Sequence, residues 1–251
     1  MKNLLVLGAT SAIAQAYINR VADQCEKVML VARDGEKLRH ITSHVSAISD
    51  AVVTPVESDL ADVSEHEKLL ASAVDTLGSI DCVLIAYGQL TDQKRCIDEP
   101  QYALEQFNLN GTSTISLSLY LAGHLAQQGS GTLAVIGSVA GDRGRKSNYC
   151  YGAAKGAVDS FLSGLRAELL SSNVNVLNIK PGFVDTPMTS EFKKGFLWRS
   201  ADFVAGDIDK AVVKGKSVVY TPWFWRFIML IIKCIPEVIF KRLPLLSLIH
   251  I

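Results

Sequence analysis

The sequence predicts an α/β protein: a doubly wound, mostly parallel sheet of about seven strands with helices on both faces, followed by short apolar C-terminal helices. Three observations predict it. Apolar runs of strand length alternate with helical patterns from the N-terminus to about residue 220. No Pro- or Gly-rich linker and no repeat interrupts them. The chain also opens with a strand, a small-residue turn and a helix, as a βαβ unit does.

The first strand is Asn3 to Leu7, and the turn Gly8-Ala9-Thr10-Ser11-Ala12-Ile13-Ala14 leads into a helix ending near Gln24. Such a turn can lay a pyrophosphate on exposed backbone N–H groups at a helix N-terminus. The apolar run that starts after Met1-Lys2-Asn3 stops at Gly8, which favours a strand over a secretory signal. The second strand is Lys27 to Ala32. Its end is where a dinucleotide fold meets the adenosine ribose. Arg33 stands there, and a guanidinium can grip a 2′-phosphate through two parallel hydrogen bonds, so the expected cofactor is NADP(H).

A helix over Gly35 to Ala47 and a strand over Val52 to Val56 follow, and Asp59-Leu60 ends that unit. A helix from Val63 to Leu77 leads to a strand from Cys82 to Ala86, then to the loop Ala86-Tyr87-Gly88. One long helix is expected from about Gln101 to Gln127, carrying Asn110. The fifth strand, Leu133 to Gly137, ends at Ser138, and the helix from about 148 to 172 carries Tyr151 and Lys155, with Ser147 or Asn148 as its cap. Small residues around Lys155 allow that helix a close approach to its neighbours. The sixth strand, Val174 to Ile179, runs into Pro181-Gly182-Phe183-Val184-Asp185-Thr186. After a polar-aromatic loop come a helix over Ala201 to Val213 and a last strand over Ser217 to Tyr220.

Gly8, Arg33, Asp59, Gly88, Ser138 and Pro181 all fall at expected strand C-ends, where open α/β sheets bind ligands. Tyr151 and Lys155 are four apart, one helical turn on one face. The ammonium is expected to favour the phenolate and so lower the tyrosine pKa from near 10. A phenol tuned that way can pass a proton to or from a carbonyl oxygen. Tyr149 has no lysine four residues on, and Cys150 has no neighbouring histidine base, so neither is given a catalytic role.

Lys plus Arg equals Asp plus Glu at 25 each, which argues against a nucleic-acid partner. The five cysteines are odd in number and lack CxxC spacing, so neither a disulfide framework nor a metal site is expected.

Taken together, Gly8-xxx-Ala12-x-Ala14, Asn110, Ser138 thirteen residues before Tyr151, Tyr151-xxx-Lys155 and the PGxVxT run from Pro181 to Thr186 resemble the short-chain dehydrogenases/reductases. The resemblance covers residues 1 to about 220. It implies a Rossmann-type fold and a ketone oxygen held between Ser138 and Tyr151. Lys155 would hold the nicotinamide ribose and Asn110 a water that reloads the proton. The cofactor would lie along Gly8, Thr10, Ser11, Ile13, Arg33, Asp59, Leu60, Ala86, Gly88, Pro181, Val184 and Thr186 as well as Tyr151 and Lys155. It implies a homodimer or homotetramer, paired through the helices over 101–127 and 148–172. The chain departs from the family pattern at Ala12, Ala14 and Tyr87, the last being bulky beside a cofactor.

The body is expected over 1–221 and a tail, part of the same unit, over 222–251. From Trp223 to Ile251, 20 of 29 residues are apolar, and Pro236 and Pro244 break the run into pieces too short to span a bilayer. Apolar, Trp-bearing and cationic, the tail is expected to lie in a membrane interface, so that truncation after Thr221 releases a cytoplasmic protein from the inner face of the membrane. A substrate lid or an oligomer seam would bury the same residues. The tail and the Ala86-Tyr87-Gly88 loop are similar to one branch of the family, the decaprenylphosphoryl-2-keto-pentose reductases, which implies a lipid-linked keto sugar as substrate. Another apolar ketone (steroid, acyl or sphingoid) and a non-catalytic NADP(H)-binding sensor or scaffold are the alternatives.

Overall fold

The computed structural model describes residues 1–243. Strand β1 (Asn3–Leu7) is an interior strand of a parallel sheet, and all five of its residues are buried. Helix α1 (Ala12–Val21) leads to β2 (Lys27–Ala32), α2 (Gly35–Ile48) to β3 (Val52–Glu57), and α3 (His66–Leu77) to β4 (Cys82–Ile85). Beyond β4 come α4 (Gln93–Asp98), α5 (Pro100–Phe107), a π-helical turn (Asn108–Thr112) and α6 (Ser113–Gln128). Strand β5 (Gly131–Ile136) is followed by a 3₁₀ turn (Val139–Asp142) and α7 (Tyr149–Glu168), then by β6 (Val174–Pro181).

The sheet has seven strands. Its order is β3-β2-β1-β4-β5-β6-β9, with β9 (Val218–Thr221) reached through the small strands β7 (Val184–Asp185) and β8 (Arg199–Ser200) and helix α8 (Ala201–Val213). Every pairing is parallel, and order reverses between β1 and β4, so the crevice at the strand C-ends opens there. Period-two alternation divides the core. Leu4 and Val6 face one layer with α1 and α8, and Leu5 and Leu7 face the other with α3, α6 and α7.

The long helix expected over 101–127 is instead broken at Asn108–Thr112, where one π turn inserts an extra residue, and α4 precedes it unforeseen. The expected helix over 148–172 stops at Glu168 and finishes as a 3₁₀ turn (Leu169–Ser172). Asn148 occupies its N-cap position but makes no capping side-chain bond, and Ser147 makes none either.

Helices α9 (Trp225–Cys234) and α10 (Glu237–Phe240) follow β9. Trp225, Met229, Ile232 and Phe240 are buried against Val139 on the body. Arg143 secures the C-terminal end of α9: its guanidinium donates to the carbonyls of Ile232 and Ile235 at 2.6 Å and pairs with Glu237 at 2.8 Å. The part of the tail over 244–251 lies outside the described residues. Among the described residues no helix is long and apolar enough to cross a membrane.

Candidate active site

The strand C-ends form one cleft of about 550 Å³. Gly8, Thr10, Ser11, Ile13, Arg33, Asp59, Leu60, Ala86, Gly88, Ser138, Tyr151, Lys155, Pro181, Val184 and Thr186 all line it, so the structure brings together every predicted site residue except Asn110. Gly8 has φ +93, and a Cβ there would meet the Tyr87 backbone nitrogen at 2.5 Å, so only glycine lets the opening loop pass the β4 loop.

Tyr87 lines the cleft, but its hydroxyl end is turned toward α6. Its hydroxyl lies 2.9 Å from Ser113 Oγ on α6, and its ring packs on the layer beneath the cleft. Burial pushes its pKa up to about 12. Arg33 is exposed and forms no ion pair among the described residues. The neighbouring Asp34 is already committed: it accepts from the Lys37 N–H at 3.0 Å and caps α2.

Ser138, Tyr151 and Lys155 meet because α7 presses on the 3₁₀ turn after β5. A Cβ at Gly152 would lie 2.9 Å from the Ala140 carbonyl oxygen, and one at Gly141 would lie 2.8 Å from the Lys155 carbonyl carbon. The small residues of α7 thus serve a contact at backbone distance with that turn. Ser138 Oγ accepts from the Ala140 N–H at 3.0 Å, which fixes the rotamer and leaves its proton to donate. Ser138 and Tyr151 line the same cleft, and the Ser138 hydroxyl favours the ionised form of the Tyr151 phenol. Lys155 Nζ donates to the Ile136 carbonyl at 3.0 Å and lies 5.9 Å from the centroid of the Tyr151 ring.

The electrostatics correct one expectation. Burial pushes the Tyr151 phenol up to about 12, and the Ser138 hydroxyl opposes this only in part. Burial also holds Lys155 down at about 8. Desolvation outweighs the attraction expected from the ammonium, which is held at the Ile136 carbonyl. Tyr151 is therefore firmly protonated at neutral pH.

Asn110 is wholly buried behind the cleft wall. Its Oδ1 accepts from the Gln89 N–H at 2.9 Å and its Nδ2 donates to the Gln106 carbonyl at 3.0 Å. The π turn rotates this side chain toward the β4 loop. Cys150 is a packed thiol at the edge, receiving a 3.3 Å contact from Gln93 Nε2.

Sequence reasoning missed the far end of the cleft. Leu90, Val139, Phe183, Met188, Phe192 and Trp198 give it an apolar wall, with Phe183 stacked on Trp198 at 5.2 Å. Thr91, Arg145 and Asn148 bring polar atoms to it. The aromatic content of 187–199 was the available signal; nothing in the sequence said that this loop folds back over Tyr151.

The pattern of the short chain dehydrogenases matches residues 2–195. An uncharacterised oxidoreductase of Mycobacterium tuberculosis H37Rv is 32% identical over 241 residues, covering 96% of each chain. Among solved structures, a short-chain dehydrogenase from Sphingobium yanoikuyae in complex with NADPH superposes with a TM-score of 0.79, at 23% identity and over 88% of each chain. The bulky-bulky ketone specific alcohol dehydrogenase from Comamonas testosteroni superposes at 0.76, with 21% identity, covering 94% of this chain and 96% of the other. A nucleotide-sized cleft at the strand C-ends and a Ser138–Tyr151–Lys155 cluster inside it agree with that match: the chain is an oxidoreductase of the short-chain dehydrogenase/reductase family.

Proposed function

We propose that the protein uses NADP(H) to reduce a bulky, largely apolar ketone to a secondary alcohol. The observation that carries this is the gathering of Ser138, Tyr151 and Lys155 in a cleft continuous with the Gly8 loop. The residues present fit the cofactor. Ser11 leaves the N-terminus of α1 without a side-chain cap, so first-turn N–H groups face the cleft for a pyrophosphate. Asp59 and Leu60 would border the adenine, Arg33 would take the 2′-phosphate, and Ala86, Val184 and Thr186 would border the nicotinamide end. A structural neighbour binds NADPH, which favours the same choice here.

Bound NADPH supplies a hydride. Ser138, with its oxygen already accepting from Ala140, donates its proton toward the ketone oxygen, a bond that strengthens as negative charge develops. Tyr151, kept neutral by burial, is the acid that protonates that oxygen. Lys155 would hold the ribose hydroxyls. Asn110 holds Gln89 against the cleft and, in this reading, the water that returns a proton to Tyr151.

The apolar wall from Leu90 to Trp198 suits a bulky substrate, in keeping with the bulky-bulky ketone specificity of the Comamonas testosteroni neighbour. A lipid-linked keto sugar is the finer candidate within that class. A binding-only sensor or scaffold would not need a Ser–Tyr–Lys cluster. The test is NADPH oxidation against a panel of bulky ketones. Tyr151→Phe is expected to keep NADPH affinity and lose turnover by about 10²–10⁴-fold. Turnover near the wild-type rate would overturn the assignment, and NADH bound more tightly than NADPH would overturn the Arg33 reading.

We read residues 1–221 as the catalytic body and 222–251 as part of the same unit. Exposed Leu104, Leu119 and Tyr120 on α5 and α6 support a homodimer or homotetramer through those helices. Peripheral contact with a membrane is proposed through the outer face of α9. There Trp223, Phe227, Leu230 and Ile231 are exposed, and a groove of about 840 Å³ beside them carries Lys210, Lys214, Lys216, Arg226 and Lys233. None of those five cations forms an ion pair among the described residues, while the groove's one acid, Asp207, accepts from Thr221 at 2.7 Å. An anionic bilayer complements both the charge and the apolar face.

A further inference from the structure

Arg145 is a buried cation without a side-chain partner among the described residues. It sits in the loop between the 3₁₀ turn and α7, so Ser138 and Tyr151 flank it in sequence, and it lines the same cleft. Only 6% of its surface is exposed, its Nε is shut off from water with no acceptor, and its guanidinium makes no ion pair or hydrogen bond among the described residues. Asp142 is the carboxylate whose field it feels, yet that group is already held by Lys180 and by Tyr220 at 2.9 Å. Arginine keeps its charge even when burial lowers its pKa, so the cost of this arrangement cannot be escaped by losing a proton.

Two more buried polar atoms lack partners, and both residues line the same cleft: Thr91 Oγ1 and Asn148 Oδ1. The only acid lining the cleft among the described residues is Asp59, which follows β3 and lies beside Arg33 at the other end. The far end of the cleft, walled by apolar side chains, thus holds a guanidinium with no ion pair or hydrogen bond among the described residues beside a hydroxyl and a carboxamide oxygen, and is short of an oxyanion.

We propose that Arg145, assisted by Thr91 and Asn148, binds a phosphate or carboxylate group carried by the substrate. The apolar wall takes the adjoining hydrocarbon, and Asn148 Oδ1 accepts from a hydroxyl next to the anion. The substrate class is then a bulky ketone that bears an oxyanion. The word substrate rests on the reductase reading above; the binding site does not.

The test is calorimetric titration of the NADPH-loaded full chain with octyl phosphate, octanoate and 1-octanol, none of which can be reduced. At least one anion is expected to bind 10-fold or more tightly than the alcohol, and the order of the two anions identifies phosphate or carboxylate. Arg145→Gln should abolish the difference, Arg145→Lys should restore part of it, and Thr91→Val should weaken the anion several-fold. Equal affinity for all three ligands in the wild-type protein overturns the proposal, whatever the variants do. So does an anion preference that survives Arg145→Gln. If anion binding follows the prediction while no ketone oxidises NADPH, the reductase reading fails and the site stands. If neutral ketones turn over and no anion is preferred, the site fails alone.

Discussion

Folding strips Lys155 of its water. In the open chain its ammonium is hydrated; in the fold it is buried with one carbonyl acceptor, that of Ile136, and its pKa drops from 10.5 to about 8. The sign of the consequence follows from proton counting. Between pH 8 and 10.5 the unfolded chain binds the proton more readily, so this group's contribution to stability rises with pH across that window. At neutral pH the penalty is on the order of 3 kcal/mol. Replacing Lys155 by Met removes it. The stability of Lys155→Met minus that of the native protein, from urea titrations without cofactor, is expected to shrink by about 3 kcal/mol between pH 7.5 and 10.5. A difference independent of pH would show that the lysine is not desolvated. Such a cost persists where a function needs it.

Among elements, the polar part of the join between α9 and the body comes from Arg143, beside the buried apolar cluster. Arg143 satisfies three C-terminal carbonyls, pairs with Glu237 and lies 3.6 Å from the centroid of the Phe240 ring. Charge-assisted bonds to a helix C-terminus are worth about 1.5–3 kcal/mol together with the favourable dipole. Arg143→Ala is expected to cost about that much, and hydrogen exchange should quicken in 225–240 while the amides of β1 and β4 stay protected. Equal loss of protection across the sheet would mean that α9 is not a separable layer. Because Trp225, Met229 and Ile232 are core residues of this join, truncation after Thr221 would strip the body's cover as well as any lipid contact. Surface substitutions are the cleaner probe.

For the whole molecule, charge is balanced in sum but not in place. The chain has no net charge, yet five cations without an ion pair among the described residues share one groove beside an exposed apolar helix face. Each basic group near an anionic surface is worth about 1 kcal/mol, so replacing Lys210, Lys214 and Arg226 by Glu should weaken binding to phosphatidylglycerol vesicles by at least about 100-fold. Cosedimentation at two salt concentrations measures it. A native protein that ignores anionic vesicles, or a triple variant that binds them equally well, removes the membrane reading. If the variant instead splits an oligomer, the groove is a seam between copies.

Sequence periodicity was enough for the sheet and for most of the cleft. Parallel strands buried on both faces read as apolar runs, and their C-ends carry residues whose spacing is local: Gly8 after β1, Arg33 after β2, Tyr151 and Lys155 one turn apart. Local spacing could not show the π turn at Asn108–Thr112, because a single inserted residue leaves the helical pattern almost unchanged. Nor could it show that Arg145 goes unpaired, since pairing depends on Asp142 having been taken by partners 38 and 78 residues away. The sign of the Tyr151 shift was misjudged for the same reason. Charge proximity can be read from two letters of sequence, but desolvation is a property of everything that excludes water around them. The sequence by itself determined the fold, the family and which side chains gather at the rim. Tertiary structure alone decided how dry they are, which charges remain without partners, and which face of the tail is left for another surface.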